Sequence, residues 1–540
     1  MAPRCRFLAS VAVCLYGFSL CAVISSYAEP TAGRSTIQDT VDALLGSIGQ
    51  ETGAWENVPE AEADAQISDA DDENSTGPSL ARDRETGQLF CAWSQKDAPD
   101  GDHEIYVKTY DPVARTSAWV ALANGGSGDG RISDTNRDSV SPKLLVQMTP
   151  AKRLWVIWQE GRSGGVLDQI LGVDLESGFY SVLEAIKDIE YEGTYIYAKC
   201  YDLETEQWDA TLDYADASAG KTISGNDDYS MASRPDAVLT AEGAPFVVWD
   251  YIRFSPEGGS GLTNIVKIID APNNNLGAVY GAANEEAGWL TLEGVAIDYD
   301  MAAAHALTAT GQWDISVSPS VTLCADGRPS IAWVHTEVDA AGRSAADYRG
   351  LSQVHAIRYD GSAWGDTLFG GTGATDGGVS RWNTEAGVGI CTQPAIAALP
   401  SGEVAVVFTR TGPENSELTG TKVIQISGKV WNPMMGQWTD YYVDDDNRGW
   451  RDLSASVFDV ATGADLTVTG DGEAAVAWTD AALNVFALVW DNEDQSWDTF
   501  AKSWWLPSDI NEEAGLQGGV DVICDMDQPL VAWTSASLSD

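Results

Sequence analysis

Residues 319–333 read PSVTLCADGRPSIAW: a proline, an alternating apolar stretch, an Asp-Gly turn, then an apolar run that closes on Trp333. Alternation with period two marks a strand, and Asp-Gly between two such runs marks a tight hairpin. The same phrase returns as PDAVLTAEGAPFVVW at 235–249 and PAIAALPSGEVAVVF at 394–408. Its closing aromatics along the chain are Trp93, Trp158, Trp249, Trp333, Phe408, Trp478 and Trp533. Each is led, 14 to 16 residues earlier, by Pro78, Pro142, Pro235, Pro319, Pro394, Ala464 or Gly519. Self-similarity at this spacing is the mark of a repeat architecture.

A second phrase comes after each of the first six. It is an alternating strand ending at Tyr110-Asp111, Tyr201-Asp202, Ile269-Asp270, Tyr359-Asp360, Trp431-Asn432 or Trp490-Asp491, then a short turn. The turn leads to Trp119, Trp208, Trp289, Trp364, Trp438 or Trp497. After Trp533 there is no such partner, and Trp55, in ETGAWENVP, stands at the other end of the chain instead. Four strands per repeat, arranged radially, make a β-propeller. The expected fold is therefore all-β, a seven-bladed propeller of four-stranded blades, its ring closed by an N-terminal strand within 36–59 that completes the last blade. A linear array of β-sandwiches is the rival, and the split last repeat argues against it.

The first residues are MAPRCR, and residues 7–28 then carry no charge and end in Ser26-Tyr27-Ala28. A basic start, an apolar core and small residues at the end are an export signal. Residues 1–28 are read as that signal, 29–75 as closing strand plus an acidic strap, and 76–540 as the propeller. The mature protein is then secreted, with no membrane span. Five of the eight cysteines remain after the signal, an odd and scattered set that makes no disulfide framework and no zinc spacing.

Acids outnumber bases 81 to 31, for a net charge of −50. A duplex nucleic-acid partner needs clustered positive charge, so nucleic acid is excluded as a partner, and an anionic membrane surface with it. Yet 44% of residues are hydrophobic and 21 are tryptophan, which excludes a disordered acidic tail. Such acidity suits either a saline exterior or several cation sites.

The phrase of proline, apolar stretch, glycine turn, tryptophan strand and second tryptophan strand resembles the repeats of secreted bacterial sialidase-like (BNR-type) propeller proteins. The resemblance covers nearly the whole mature chain and implies the fold. The family's Ser-x-Asp-x-Gly-x-x-Trp turn is not intact here, and the arginine motif that opens sialidase domains is missing. Sialidase activity is accordingly not implied.

Chemistry in such a fold belongs to the loops at the funnel end. Arg162, Arg253 and Arg410 each lie just past a closing aromatic and are candidate ligands for a carboxylate or sulfate, which guanidinium binds bidentately. Glu160 and Asp250 likewise come just after Trp158 and Trp249, and are the pair to test for glycoside hydrolysis. Acids also recur ahead of the leading positions, Asp138 among them, either as a cation-binding rim or as solvated charge. In VDDDNRGWRD, Asp444, Asp446 and Asp452 could supply oxygens to calcium, with Gly449 allowing the turn.

These readings favour a non-enzymatic secreted module that binds a glycan or an extracellular protein, with calcium as a stabilising cofactor. The alternative is a carbohydrate-active enzyme, a sialidase-like glycosidase or lyase using rim acids and arginines. If the Asp444 loop holds calcium, EDTA lowers the melting temperature and excess calcium restores it; an unchanged melt contradicts the site.

Overall fold

In the computed structural model the described residues are chiefly 75–96, 102–111, 119–122, 130–133, 137–161, 194–215, 221–224, 230–253, 278–285, 288–290, 315–336, 352–365, 390–413, 422–440, 461–480, 485–491, 496–497, 504–506, 515–525 and 528–537, with 135. The chain divides into two compact units, residues 1–56 with 498–504 and residues 57–497 with 505–540. Apart from Trp504, all the strand residues belong to the second. The expected signal, the closing strand near Trp55 and the Asp444 loop all lie outside the described residues.

The repeats fold as the phrases predict except in the third, where the strand leading to Trp289 ends at Glu285 and not at Ile269-Asp270, which lie outside the described residues. The first sheet is β1 (Ser75–Arg82), β2 (Leu89–Lys96), β3 (His103–Tyr110) and β4 (Val120–Ala121), and the second is β5 (Ser139–Gln147), β6 (Arg153–Glu160), β7 (Tyr195–Asp202) and β8 (Gln207–Trp208). The third is β9 (Ser230–Leu239), β10 (Pro245–Arg253), β11 (Ala278–Glu285) and β12 (Gly288–Leu290). Then come β13 (Ile315–Leu323), β14 (Pro329–Thr336), β15 (Ser352–Tyr359) and β16 (Trp364–Gly365), and β17 (Ile390–Ala398), β18 (Val404–Pro413), β19 (Lys422–Asn432) and β20 (Gln437–Asp440), joined by one parallel bridge from Ser352 to Ile390. The series continues with β21 (Ala461–Val468), β22 (Ala474–Asp480), β23 (Val485–Asp491), β24 (Ser496–Trp497) and the short β25 (Trp504–Leu506). It ends in the hairpin β26 (Gly515–Asp525) and β27 (Gln528–Ser537). This is an all-β β-propeller with four-stranded antiparallel blades. Among the described residues no helix is long and apolar enough to cross a membrane.

Both faces of each blade are covered, so the second strands read as continuous apolar runs. In β6, Leu154, Val156 and Trp158 pack with Phe90 and Ile105 of the first sheet, while Trp155 and Ile157 pack with Val247 and Trp249 of the third. The outer tryptophans pair across their hairpins with the aromatic that ends the third strand: Tyr201 with Trp208 at 5.2 Å, Tyr359 with Trp364 at 5.5 Å, Trp431 with Trp438 at 5.8 Å. The repeated tryptophans are therefore blade packing.

The leading positions mark a bulge. The residue just before each has positive φ: Gly77, Ser141, Arg234, Ser318, Gln393 and Gly463. One residue beyond the lead, in five of the repeats, a side chain reaches the next inner strand and accepts its N–H; Lys143 and Ala395 hold that place in the second and fifth and offer no acceptor. Ser79 Oγ takes Leu144 N at 3.1 Å, Asp236 Oδ2 takes Val321 N at 2.8 Å, and Ser320 Oγ takes Ile396 N at 3.3 Å. Asp465 Oδ2 takes Val522 N at 2.8 Å, and Asp521 Oδ2 takes Leu80 N at 2.6 Å. By this register Val520, not Gly519, leads the last hairpin. An inner strand has one edge without a neighbouring strand, and these acceptors satisfy its amides.

Glycine is required where the chain turns back beside β3. Gly130 has φ +96°, and a Cβ there would lie 2.7 Å from Val107 O; Gly402 has φ +88° with nothing within 4 Å. Gly402→Ala should cost about 1 kcal/mol for the left-handed backbone alone. Gly130→Ala should cost more, because the clash with Val107 O also displaces the segment. Urea unfolding of the two variants checks the order, and equal losses contradict it.

Candidate functional site

After β4 the chain returns along β3 to reach β5. Val107 N donates to Gly130 O at 2.9 Å and Ile132 N to Ile105 O at 2.8 Å. Ser133 Oγ accepts from Ile105 N at 2.7 Å and donates in a short bond to Glu104 Oε2. Thr135 N donates to the other oxygen of Glu104 at 3.3 Å, and Thr135 Oγ1 donates to Arg137 O at 3.1 Å. Asp138 Oδ1 accepts from His103 N at 2.9 Å and lies 3.0 Å from His103 Nδ1. Glu104 and Asp138 are both buried.

The next residue opens β5, and its hydroxyl meets a second buried glutamate. Ser139 Oγ donates to Glu160 Oε2 at 2.6 Å, and Trp158 Nε1 donates to the same oxygen at 3.2 Å. Glu160 ends β6 and is 1% exposed. Gly161, with φ +100°, turns the chain there and donates its N–H to Asp138 O at 2.7 Å. Opposite Glu160 in register stands Tyr195 of β7, and the Arg137 guanidinium lies 5.5 Å from the centre of its ring. Burial pushes the Glu160 carboxyl above its ordinary range, while Ser139, Thr135, Trp158 and the charge of Arg137 oppose that rise. Its Oε1 accepts no hydrogen bond among the described residues.

The sister positions show what is structural here. In the first sheet Gln95 takes the place of Glu160 and accepts from Trp93 Nε1 at 2.8 Å. Accepting an indole N–H thus needs no charge, and the carboxyl of Glu160 is surplus to that task. Glu104 has Gln353 as its counterpart, which takes a short bond from Ser380 Oγ. A polar residue at this place anchors the returning segment in both blades.

Asp250 is placed differently. Its Oδ1 receives a short bond from Ser233 Oγ, and its Oδ2 accepts from Ser318 N at 3.0 Å and lies 3.5 Å from Arg234 Nε. Gln159, one residue before Glu160, does the equivalent work by accepting Arg234 N at 3.1 Å. Asp250 therefore holds the bulge of the next inner strand. Of the arginines, Arg162 and the Arg253 side chain lie outside the described residues, whereas Arg410 is half-buried on β18, paired in register with Cys391. Asp444, Asp446 and Asp452 are likewise outside, and among the described residues no group of three or more His, Cys, Asp or Glu is placed to hold a metal ion.

Sequence reasoning missed Glu104, Ser133, Thr135 and Arg137. A signal was available: Ile132-Ser133, Ile223-Ser224 and Val379-Ser380 are the same turn, each serine accepting the N–H of Ile105, Ile196 or Val354.

No family model matches the chain, and no curated protein does. Among solved structures it is similar to an α-L-arabinanase of Penicillium chrysogenum, at 9% identity and TM-score 0.38 over 75% of this chain and 89% of that one. It is similar to an α-L-arabinofuranosidase of Fusarium graminearum, at 10% identity and TM-score 0.39 over 75% and 88%. A Hadza microbial sialidase matches at 12% identity and TM-score 0.35 over 77% and 63%. The resemblance to sialidase-like propellers is one of fold. Each of the three is by name a glycan-cleaving enzyme, and with that finding the expectation of a non-enzymatic binding module is withdrawn.

Ser139→Ala removes a donor that favours ionised Glu160. At pH 7 it should lower stability by about 1–3 kcal/mol, because a buried acceptor is left short of a partner. The loss should shrink toward pH 5, as the carboxyl, raised by burial, takes up its proton. Denaturant titrations at the two pH values check this; a loss that grows toward pH 5 contradicts it.

Proposed function

We propose that this chain is a secreted carbohydrate-active enzyme that hydrolyses a glycosidic bond, with Glu160 as its acid. One observation carries the reading: Glu160 is a buried carboxyl, held above its ordinary range, with one oxygen fixed by Ser139 and Trp158 and the other accepting no hydrogen bond among the described residues. A general acid must hold its proton near working pH and present it in a fixed direction. Glu160 gives that proton to the departing glycosidic oxygen as the bond from sugar carbon to oxygen breaks. A second carboxylate is needed to assist water or to attack the sugar. Glu104, tied to the same segment through Ser133 and Thr135, is the candidate for it.

The same proposal takes the propeller as seven-bladed. Its support is the order in which inner strands pack, β1, β5, β9, β13, β17, β21 and β26, with Asp521 of β26 bonded back to Leu80 of β1. The reading of 1–28 as an export signal supports an enzyme that works outside the cell on a glycan.

The test is a panel of arabinans, sialosides and other glycans read for released product. Wild type should release product from a member of the panel, with activity falling as pH rises past the Glu160 midpoint. Glu160→Gln should lower kcat by about 10²–10⁴-fold while the protein stays folded, since glutamine already fills this place in the first sheet. Turnover undiminished in Glu160→Gln, or no product from wild type on any member, contradicts the reading.

A further inference from the structure

Three aspartates and one lysine converge where the inner strands enclose the interior, on residues the proposed chemistry does not use. Lys143 of β5 points its Nζ to within 3.5 Å of Asp236 Oδ1 on β9. Asp465 of β21 and Asp521 of β26 act on the same ammonium. Burial works against the Lys143 charge, but the three carboxylates outweigh it and hold its proton more tightly than usual. The Lys143 side chain keeps 32% of its surface accessible and Asp236 18%. All four residues sit on inner strands.

Fully ionised, the four side chains leave two negative charges uncompensated in an enclosed place, which is costly. Asp236 has the lysine at hand and two further donors, Ser320 Oγ and Val321 N. Asp465 accepts from Val522 N, the amide that joins β21 to β26, and Asp521 accepts from Leu80 N, the amide that joins β26 to β1. We propose that Asp465 and Asp521 hold one proton between them below neutral pH, and that losing it loosens the seat of β26 against β1, a pH-responsive closure of the propeller.

The elements packed on β26 are consistent with this. Of these β21 brings Asp465, and Lys143 of β5 and Asp236 of β9 also act on Asp521. The hairpin partner β27 carries no titratable residue, β22 none before Asp480 at its end, and β1 none before Arg82 at its end. Cys91 of β2 also faces Asp521, its thiol pushed up first by burial and then by that charge, with Lys108 opposing. Burial first, then repulsion from Asp465, raises Asp521 to about 7 from an ordinary 3.8, against the pull of Lys143 and Leu80 N. Burial raises Asp465 as well. The folded chain thus binds more protons than the unfolded chain between about pH 4 and 7, so this cluster's contribution to stability declines as pH rises through that window.

The experiment is thermal unfolding of the full chain from pH 5 to 8, in wild type and Asp521→Asn. Asparagine keeps an oxygen for Leu80 N and removes the charge. The variant should gain a few degrees on wild type at pH 8 and lose that gain by pH 5. Lys143→Met should do the reverse, with a Tm loss larger at pH 8 than at pH 5. Amide exchange on wild type supplies a reading that needs no variant to fold. After correction for intrinsic rates, Leu80 N should be less protected at pH 8 than at pH 5.5, while Leu144 N, held by Ser79 Oγ, changes less. A Tm offset that is constant with pH, or equal responses of Leu80 and Leu144, overturns the proposal.

Discussion

An inner strand of a propeller blade has amides on its free edge, and the whole arrangement depends on giving those amides acceptors. Here the acceptors are side chains on the inner strand before: Ser79, Asp236, Ser320, Asp465 and Asp521. Each bond joins two blades through inner strands that do not pair with each other. Positive φ just before six of the leads lets the strand bulge there and sets the direction of the next side chain. Apolar packing then fills the space between sheets, but it is the amide accounting that sets their register. Where the acceptor is serine the bond is indifferent to pH. Where it is aspartate a charge comes with it, and the interior must balance that charge with Lys143 or with a proton.

The same accounting separates Glu160 from Asp250, two acids that look alike in the sequence. Asp250 is committed on both oxygens to Ser233, Ser318 and the neighbouring Arg234. Glu160 commits one oxygen to Ser139 and Trp158 and leaves the other. Glutamine in the first sheet meets the same indole, so the frame does not require a carboxyl at this place. A buried acid beyond what the frame requires is the kind of group whose proton affinity burial can tune for transfer. Arg137 limits how far that tuning goes, because its charge lies on the side of the ionised form.

The architecture was legible because its signals are local. Alternation, Asp-Gly turns and closing tryptophans lie within about fifteen residues of one another; in the third repeat, where about forty residues separate Trp249 from Trp289, the alternating run ending at Ile269-Asp270 was taken for the strand that ends at Glu285. The lead of the final hairpin was misplaced by one residue, Gly519 for Val520, because no proline marks it and the bulge is a backbone feature. Asp138 was noticed as an acid ahead of a strand, but its partner is His103, 35 residues earlier in the chain. Glu104 escaped entirely. It sits in an ordinary-looking strand, HEIYVKTY, and gains meaning only when Ser133 returns beside it from a stretch with no periodicity. Function was least legible of all, since 81 acids hide the few whose surroundings change their chemistry.

The account stands on Glu160 keeping its proton where an exposed glutamate would have lost it. Tracking the Glu160 side-chain carboxyl carbon by NMR against pH, in the full-length protein without ligand, reads that directly. The account predicts a midpoint clearly above the ordinary 4.5, and a further rise when Ser139 is replaced by alanine. A midpoint at or below 4.5 would show that hydrogen bonds and Arg137 outweigh burial, leaving Glu160 an ionised structural post with no proton to give.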